Sequence, residues 1–325
     1  MAYILNRIGF YLIAAWASLT FNFFLPRWMP GDPGDALAAQ LQGRVTPETL
    51  AAMEQAYGIS DDPLWKQYFS YLGNIFRGEM GVSTSNFPAP VSEVIGNALF
   101  WTLLLGGTAV VISFLIGTTL GIIAAWRRGS WADSFLPPFL QLIGSFPYFW
   151  LAMLALFFLG FEWGLFPLRH AYSDRLSPAW SLEFVGSVMS HLVLPAATIV
   201  LVSVGGWVLS MRNAMISTLS EDYVTMAEAK GLPQRRVMFS YAARNAMLPN
   251  LTQFGMALGF VLGGSLITEI VFAYPGLGYQ LITAVQRLDY QLMQGIFLMI
   301  TFAVLAANLI VDLLYVRLDP RVRRG

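Results

Sequence analysis

The sequence lacks the side chains on which much redox and metal chemistry depends. It contains no cysteine and only two histidines, His170 and His191. The absence of cysteine excludes disulfides, thiolate catalysis and cysteine-ligated metals. Two histidines are too few for a three-histidine metal centre. We therefore expect no metal site and no bound cofactor.

Charge is also scarce. Charged residues make up only 12% of the 325 residues, hydrophobic residues make up 56%, and the mean hydropathy is +0.59. Because about a quarter of the residues in a soluble domain are charged, this composition indicates a polytopic membrane protein surrounded by lipid. The formal net charge of +0 argues against nucleic acid as a partner, since binding phosphates requires a basic surface.

The motifs for ATP binding and for metal-dependent hydrolysis are missing as well. A phosphate-binding P-loop contains Gly-Lys, but Lys66 and Lys230, the two lysines, follow Trp65 and Ala229. No HExxH motif occurs. The chain therefore cannot bind ATP through a P-loop, and we expect that it is not an enzyme.

The sequence does contain long apolar runs, and a transmembrane helix needs roughly 20 mainly apolar residues. No small-residue cleavage site follows the first run, which predicts an uncleaved span rather than a signal peptide. The runs together predict an all-α membrane protein with six transmembrane helices. Their approximate ranges are 8–26, 100–125, 135–160, 191–211, 249–273 and 292–316.

Basic residues are concentrated on one side of these spans. Because cytoplasmic loops of membrane proteins are enriched in Lys and Arg, this bias places both termini and the loop 212–247 in the cytoplasm. The segment 27–98 then lies outside the cell membrane. Residues on the basic side are Arg7, Arg127, Arg128, Arg212, Lys230, Arg235, Arg236, Arg244, Arg317, Arg321, Arg323 and Arg324.

The external segment 27–98 is predicted to form a small helical domain. A helix-capping pattern begins at Thr46, and a second amphipathic helix is predicted over 62–77. We expect Lys66 and Arg77 on the exposed side of that helix. Its apolar face carries Leu64, Tyr68, Tyr71, Leu72 and Ile75.

The loop between the fourth and fifth predicted spans has an unusual pattern. Ala227 and Ala229 favour a helix, Gly231 can end it in the left-handed conformation, and Pro233 suits the first turn of the next helix. We expect two short helices held against the membrane, presenting small residues outward, before Leu248-Pro249 turns the chain back into the bilayer. The alternative is an ordinary positively charged loop between two spans.

This loop resembles the cytoplasmic loop by which membrane subunits of binding-protein-dependent ABC importers dock onto their ATPases. The resemblance lies in Ala227-Glu228-Ala229, in Gly231 at its offset, and in the distal pair Leu248-Pro249. Other segments resemble permeases of the peptide/nickel family of these importers. They are PGDP at 30–33, DPLWKQYFSYLGNIFRGEMGVS at 62–83, GIIAAWRRGSWAD at 121–133, SFPYFWLAM at 145–153, HLVLPAATI at 191–199, RNAMLPNLTQFG at 244–255, ITEIVFAYPGLGYQLITAVQRLDYQLMQG at 267–295 and DLLYVRLDPRVR at 312–323.

The resemblance implies a type I ABC importer permease fold in the cell inner membrane, and three kinds of partner. These are a second homologous permease subunit, two ATPase subunits that bind the ATP, and an external solute-binding protein. It also implies a division into residues 1–26 with the first span, the external domain 27–98, and a five-span core 99–325 carrying the coupling loop 212–247. The cargo stays open among dipeptides, oligopeptides, oligosaccharides and metal chelates. The stretch 206–224 resembles members found with oligosaccharide systems.

Candidates for the translocation path are few. Asp312 lies within the last apolar run and Glu269 near the end of the fifth, and a carboxylate inside a span can mark a pathway. The alternative is that each lies at an interface, Asp312 beside Arg317. Phe146, Tyr148, Phe149 and Trp150 could line a peptide or sugar path. The alternative is that they belong to an aromatic belt at the membrane interface.

Two functions of other classes remain as alternatives. An ATP-independent channel or ion-coupled carrier would normally carry charged or broken sites in the middle of its spans, and Asp312 is the one candidate for such a site. An intramembrane enzyme would need nucleophiles, acids or metal ligands that this sequence hardly provides.

Overall fold

The computed structural model describes residues 2–28, 62–261 and 265–318; the side chains of residues 2–6, 8 and 310–318 are outside the description. Within these ranges every regular element is helical, and the one extended pairing is an isolated bridge between Val82 and Pro90. The all-α prediction is confirmed for this part of the chain. The predicted capping pattern at Thr46 and the PGDP motif lie outside the described residues.

The chain divides into two compact units. The first unit comprises residues 1–102, 262–266 and 275–325, and the second comprises residues 103–261 and 267–274. The described helices are α1 Ala2–Arg27, α2 Leu64–Arg77, α3 Val91–Trp126, α4 Trp131–Gly144, α5 Tyr148–Ala155, α6 Leu182–Leu219, α7 Asp222–Ala229, α8 Gln234–Arg236, α9 Arg244–Val261, α10 Leu266–Val271, α11 Leu277–Gln286 and α12 Tyr290–Leu318. Two π-helical segments, Leu156–Glu162 and Val237–Ala243, continue α5 and α8.

Four of these helices are long and apolar enough to cross a membrane as continuous rods: α1, α3, α6 and α12. Helix α3 has 36 residues and α6 has 38, so at 1.5 Å per residue they are roughly 54 and 57 Å long. Both exceed the hydrocarbon thickness of about 30 Å, so each has turns to spare beyond a bilayer core. The positions of these four helices agree with the first, second, fourth and sixth predicted spans.

The third predicted span, 135–160, is not one continuous helix. Helix α4 ends at Gly144, α5 begins at Tyr148, and the two are bent by 92°. Pro147 explains the break, because a proline cannot donate a backbone hydrogen bond and disfavours a helical conformation at the residue before it. The pair passes the length and hydropathy test only when both helices are taken together.

The fifth predicted span, 249–273, is likewise divided. Helix α9 begins earlier than predicted and ends at Val261, and Ser265 lies outside both α9 and α10. The described residues thus contain four continuous candidate spans, or five with the bent pair.

In the first unit, α2 packs on the last turns of α1. The Tyr68 hydroxyl lies 2.8 Å from Thr20 Oγ1, and Asn22 Nδ2 donates to the Tyr71 hydroxyl at 3.1 Å. Phe23 is fully buried against both tyrosine rings. Burial raises the pKa of Tyr71 to about 12, so its hydroxyl keeps its proton at neutral pH.

The predicted faces of α2 largely hold. Tyr68, Tyr71 and Ile75 are half-buried, whereas Lys66 and Arg77 are exposed. Leu64 departs from the predicted apolar face, because 55% of it is exposed. It lies in the first turn of α2, whereas the tyrosines that contact α1 follow it.

A second feature of the first unit is a buried carboxylate at the start of α12. Asp289 Oδ2 accepts hydrogen bonds from Ser83 Oγ at 2.6 Å, from Ser85 Oγ at 2.6 Å and from Ser85 N at 2.9 Å. Asp289 Oδ1 accepts from Leu292 N at 3.0 Å and so caps α12. Asp289 and Ser83 are fully buried. We call Ser83, Ser85 and Asp289 the Asp289 clamp.

The second unit is organised by close contacts between helices. A Cβ atom at Gly205 of α6 would lie 2.8 Å from the Leu140 carbonyl oxygen of α4, and one at Gly121 of α3 would lie 2.7 Å from the Val208 carbonyl oxygen of α6. Glycines at these positions let backbones approach, as is common in membrane helix packing. Helix α6 therefore lies at the centre of the second unit, in contact with α3, α4 and α9.

Candidate coupling segment

The candidate functional site is the stretch from Asp222 to Ala243, which we call the Gly231 segment. Helix α7 ends at a left-handed glycine: Gly231 has φ = 71°. The Gly231 N–H donates to the Glu228 carbonyl at 2.8 Å, and the Leu232 N–H donates to the Ala227 carbonyl at 3.4 Å. These two bonds form the usual glycine-terminated helix end, so the prediction that Gly231 ends a helix is confirmed.

The second part of the segment differs from a simple helix. Pro233 immediately precedes α8, whose single turn passes into the π-helical residues Val237–Ala243 and then into α9. Wide π-turns of this kind are rare and are frequent at functional sites. The predicted second helix therefore exists, but its residues Val237–Ala243 have π geometry.

Leu248 and Pro249 do not turn the chain, which corrects the prediction. Both lie inside the continuous helix α9, and Leu248 is 61% exposed. Pro249 removes only one backbone donor, and prolines are tolerated within membrane helices whose freed groups are satisfied elsewhere. The chain thus runs straight from the Gly231 segment into α9.

The segment has a buried underside and an exposed outer surface. Val224 and Ala227 of α7 are each 1% exposed, whereas Glu228, Ala229 and Gly231 are exposed. Ala227 is therefore part of the core and is not presented outward, contrary to the expectation for this residue. The underside belongs to a cluster formed by Ile122, Ala125, Met211, Met215, Val224, Ala227, Val237, Ala242, Ala243 and Ala246.

Polar contacts add to this apolar seating. Asn245 Nδ2 in α9 donates to the Tyr223 hydroxyl of α7 at 2.9 Å. Arg212 of α6 donates to Asp133 at the start of α4 at 2.5 Å, and the Asp133 side chain is only 7% exposed. Ser130, three residues before Asp133, caps α4 and marks the start of that helix. No pattern in the sequence pairs Asp133 with Arg212.

The predicted path residues stay a prediction. Phe149 and Trp150 of α5 are 47% and 43% exposed, while the side chain of Asp312 lies outside the described residues. Glu269 is fully buried. Tyr148 precedes Phe149 at the start of α5, and its hydroxyl lies 3.1 Å from Thr198 Oγ1 and hydrogen-bonds to Thr268 as well. The sequence carries no signal for these two partners.

Comparison with known proteins agrees with this architecture. Residues 117–324 match the family model described as binding-protein-dependent transport system inner membrane component, and residues 1–99 match the N-terminal model of such membrane components. The chain is 33% identical to the dipeptide transport system permease protein DppB of Escherichia coli (strain K12), over 99% of both chains. It is 35% identical to the probable D,D-dipeptide transport system permease protein DdpB of the same strain, over 94% of this chain and 92% of that one.

A third relative comes from a different organism. The dipeptide transport system permease protein DppB of Lactococcus lactis subsp. cremoris (strain MG1363) is 32% identical over 99% of both chains. The family model covers well over half of the sequence, and both DppB relatives align with 99% of this chain. With several apolar helices of spanning length, the chain is a multi-pass protein, and it belongs to the family of inner membrane components of binding-protein-dependent transport systems.

Proposed function

We propose that this chain is one permease subunit of an ATP-driven ABC importer that moves peptides delivered by an external solute-binding protein. It would work beside a second homologous permease and two separate ATPase subunits, which bind and hydrolyse the ATP. The observation that carries this proposal is the Gly231 segment, with its exposed surface on a fully buried apolar base. The peptide cargo is supported by relatives that are named for dipeptide transport.

In this proposal the exposed surface of the segment docks onto an ATPase. Glu228, Ala229 and Gly231 would form the contact, because all three are exposed and two of them are small. When the ATPases close, their movement would pass through Val224 and Ala227 into the cluster that includes residues of α6 and α9. The segment would transmit force and perform no chemistry.

The proposal includes a topology of six spans with both termini and the Gly231 segment in the cytoplasm. Helices α4 and α5 with its π-helical continuation would form the third span, and α9 with α10 the fifth. Asymmetry of Lys and Arg supports this orientation. The segment between α1 and α3, which includes α2, would then lie outside and receive the solute-binding protein.

Transport by the reconstituted complex tests the proposal directly. The permease pair, the ATPases and the binding protein are placed in proteoliposomes, and uptake of a radiolabelled dipeptide is measured with and without ATP. We expect ATP-dependent, binding-protein-dependent uptake. Uptake that proceeds equally well without ATP would favour the channel or ion-coupled carrier instead.

The docking role is tested by Gly231→Arg. A Cβ atom at Gly231 meets nothing within 4 Å, so the arginine side chain projects away from the buried cluster and should block an ATPase. Its left-handed φ of 71° also strains the backbone locally, and a control must carry the same strain. We expect loss of ATPase co-purification and of uptake, with normal membrane insertion. Gly231→Ala is the matched control, since alanine carries the left-handed strain without a long side chain and should keep the ATPases bound. Normal co-purification of the ATPases with Gly231→Arg would show that the Gly231 segment is not the ATPase docking site.

A further inference from the structure

Three helices of the second unit meet in a polar layer beyond the Gly231 segment. Helices α3 and α9 pack in opposite directions. A Cβ atom at Gly106 would lie 2.6 Å from Val261 Cγ1, and the rings of Phe114 and Phe254 are 4.4 Å apart. Thr118 of α3 comes four residues after Phe114, and Asn250 of α9 comes four residues before Phe254. Because the two helices are antiparallel, both steps advance one turn toward the same end, so Thr118 and Asn250 lie at the same level.

The third contributor to this layer is Ser210 of α6. Its hydroxyl donates to Asn250 Oδ1 at 2.7 Å and lies 3.3 Å from Gln253 Oε1. The carboxamide oxygen of Asn250 is therefore satisfied. We call Thr118, Ser210 and Asn250 the Asn250 layer.

Two polar atoms of the layer are buried without a hydrogen bond to any described residue. They are Asn250 Nδ2 and Thr118 Oγ1, in residues that are 0% and 6% exposed. Most buried polar side-chain atoms in proteins are hydrogen-bonded. The amide donor of Asn250 and the hydroxyl oxygen of Thr118 thus lie at one level of the α3–α9 packing, and neither has a hydrogen-bond partner among the described residues. A small shift of α9 would let the amide donate to the hydroxyl oxygen.

The position of the layer connects it with the Gly231 segment. Ala246, one turn before Asn250 on α9, belongs to the buried cluster that holds Val224 and Ala227. Pro249 lies between them, and its missing N–H leaves out one hydrogen bond of the α9 ladder, where helices bend most readily. Movement of the Gly231 segment would therefore enter α9 at Ala246 and reach Asn250 as the first buried hydrogen-bonded side chain.

We infer that Asn250 is a positioning residue that exchanges hydrogen bonds between two arrangements of α9. In the arrangement of this structure its oxygen accepts from Ser210. In the second arrangement its amide nitrogen donates to Thr118 Oγ1. Each arrangement satisfies one end of the carboxamide at the expense of the other, so a movement imposed at the Gly231 segment can shift the population between them. The inference rests on the proposed function, since the shift matters only if the segment is driven by an ATPase.

Thr118→Val is the variant that separates this role from a merely structural one. Valine has nearly the same shape, and the lost hydroxyl makes no hydrogen bond to a described residue here, so a structural role predicts unchanged or higher thermal stability and unchanged activity. The inference predicts the same stability but about fivefold lower ATP hydrolysis stimulated by the peptide-loaded binding protein, the equivalent of one net hydrogen bond. Thr118→Ser, which keeps the hydroxyl, should restore the wild-type rate.

Ser210→Ala should act in the opposite direction. It removes the hydrogen bond of the arrangement seen here, so the complex should visit the second arrangement without its binding protein. We expect basal ATP hydrolysis to rise severalfold while the number of peptides imported per ATP falls. In the Thr118→Val, Ser210→Ala double variant both arrangements lose their bond, and the basal rate should return toward that of the wild type.

These measurements use the complete complex in proteoliposomes, with thermal unfolding of each variant in parallel. Wild-type stimulation and an unchanged unfolding temperature for Thr118→Val, or equal rates for the valine and serine variants, would overturn the role of Asn250. That outcome leaves the proposed function intact as long as the wild-type complex imports peptide. If the wild type shows no ATP-driven uptake, the proposed function itself has failed.

Discussion

The Gly231 segment and the Asp289 clamp are held in place by opposite kinds of interaction. The Gly231 segment rests on a buried apolar cluster, with its polar groups largely exposed. The clamp is fixed by a fully buried carboxylate that accepts three hydrogen bonds on one oxygen and one on the other. Apolar contact is non-directional, whereas hydrogen bonds weaken steeply when they bend. An element seated by apolar contacts can shift, and one held by a buried carboxylate is fixed in register.

Each of the two regions contains a left-handed glycine, and the two glycines differ in how closely other atoms approach them. Gly231 and Gly81 have φ values of 71° and 78°. A Cβ atom at Gly81 would also overlap Gln291 Oε1, the atom that accepts from Val82 N, whereas one at Gly231 would meet open space. A side chain at Gly81 would strain the backbone and displace the Gln291 carboxamide from Val82 N, whereas one at Gly231 would strain the backbone alone. The surface at Gly231 is left clear for a partner.

The largest effect is expected from Asp289→Ala. The variant leaves the buried hydroxyl of Ser83 and the hydroxyl and backbone N–H of Ser85 without their acceptor, and it removes the cap of α12. We expect the free energy of unfolding to fall by about 3 kcal/mol, measured as the apparent unfolding temperature in detergent. Asp289→Asn keeps one acceptor oxygen and should lose less. Wild-type stability of the alanine variant would show that the clamp does not hold this region.

The second expected effect compares two alanines of α7 that are two positions apart. Ala227→Leu forces extra methylene groups into the buried cluster and should cost about 1–3 kcal/mol of stability. Ala229→Leu adds the same atoms on the exposed side and should change stability by about 0.5 kcal/mol or less. Under the proposed function, Ala229→Leu should instead weaken ATPase co-purification. Equal unfolding temperatures for the two variants would contradict an apolar seating beneath the segment.

The sequence was sufficient for features that depend on neighbouring residues. The Gly231 helix end follows from a glycine placed after a run of good helix formers, and the inner face of α2 follows from helical spacing. The break in the third predicted span could not be seen from the apolar run. Mean hydropathy over the run hardly changes with one proline, whereas Pro147 interrupts the helical hydrogen bonds of the backbone. Likewise, Ala227 and Ala229 look alike in sequence, and only packing against α6 and α9 makes one of them part of the core.

Contacts between distant residues could not be predicted from this one sequence. Ser83 and Asp289 are separated by 206 positions, and Thr118 reaches the level of Asn250 only through the packing register of α3 against α9. Buried polar residues such as Asn250 read as ordinary positions in an apolar run, since the sequence does not indicate which neighbour satisfies them. The candidate site was therefore found from its local helix end, and the machinery beneath it required the fold.

The smallest effect is expected where a carboxylate of the first unit is paired at the surface. Lys66 Nζ lies 2.8 Å from Asp62 Oδ1, but the two side chains are 59% and 43% exposed. Lys66→Gln should change the free energy of unfolding by about 0.5 kcal/mol or less, because exposed ion pairs are well solvated. The difference should shrink further when unfolding is measured at high salt, which screens exposed charges. The deficit of Asp289→Ala should persist in the same salt, because the carboxylate is buried and its partners are neutral hydroxyl and N–H groups. If Lys66→Gln lowered stability as much as Asp289→Ala, burial would not be what distinguishes the two carboxylates.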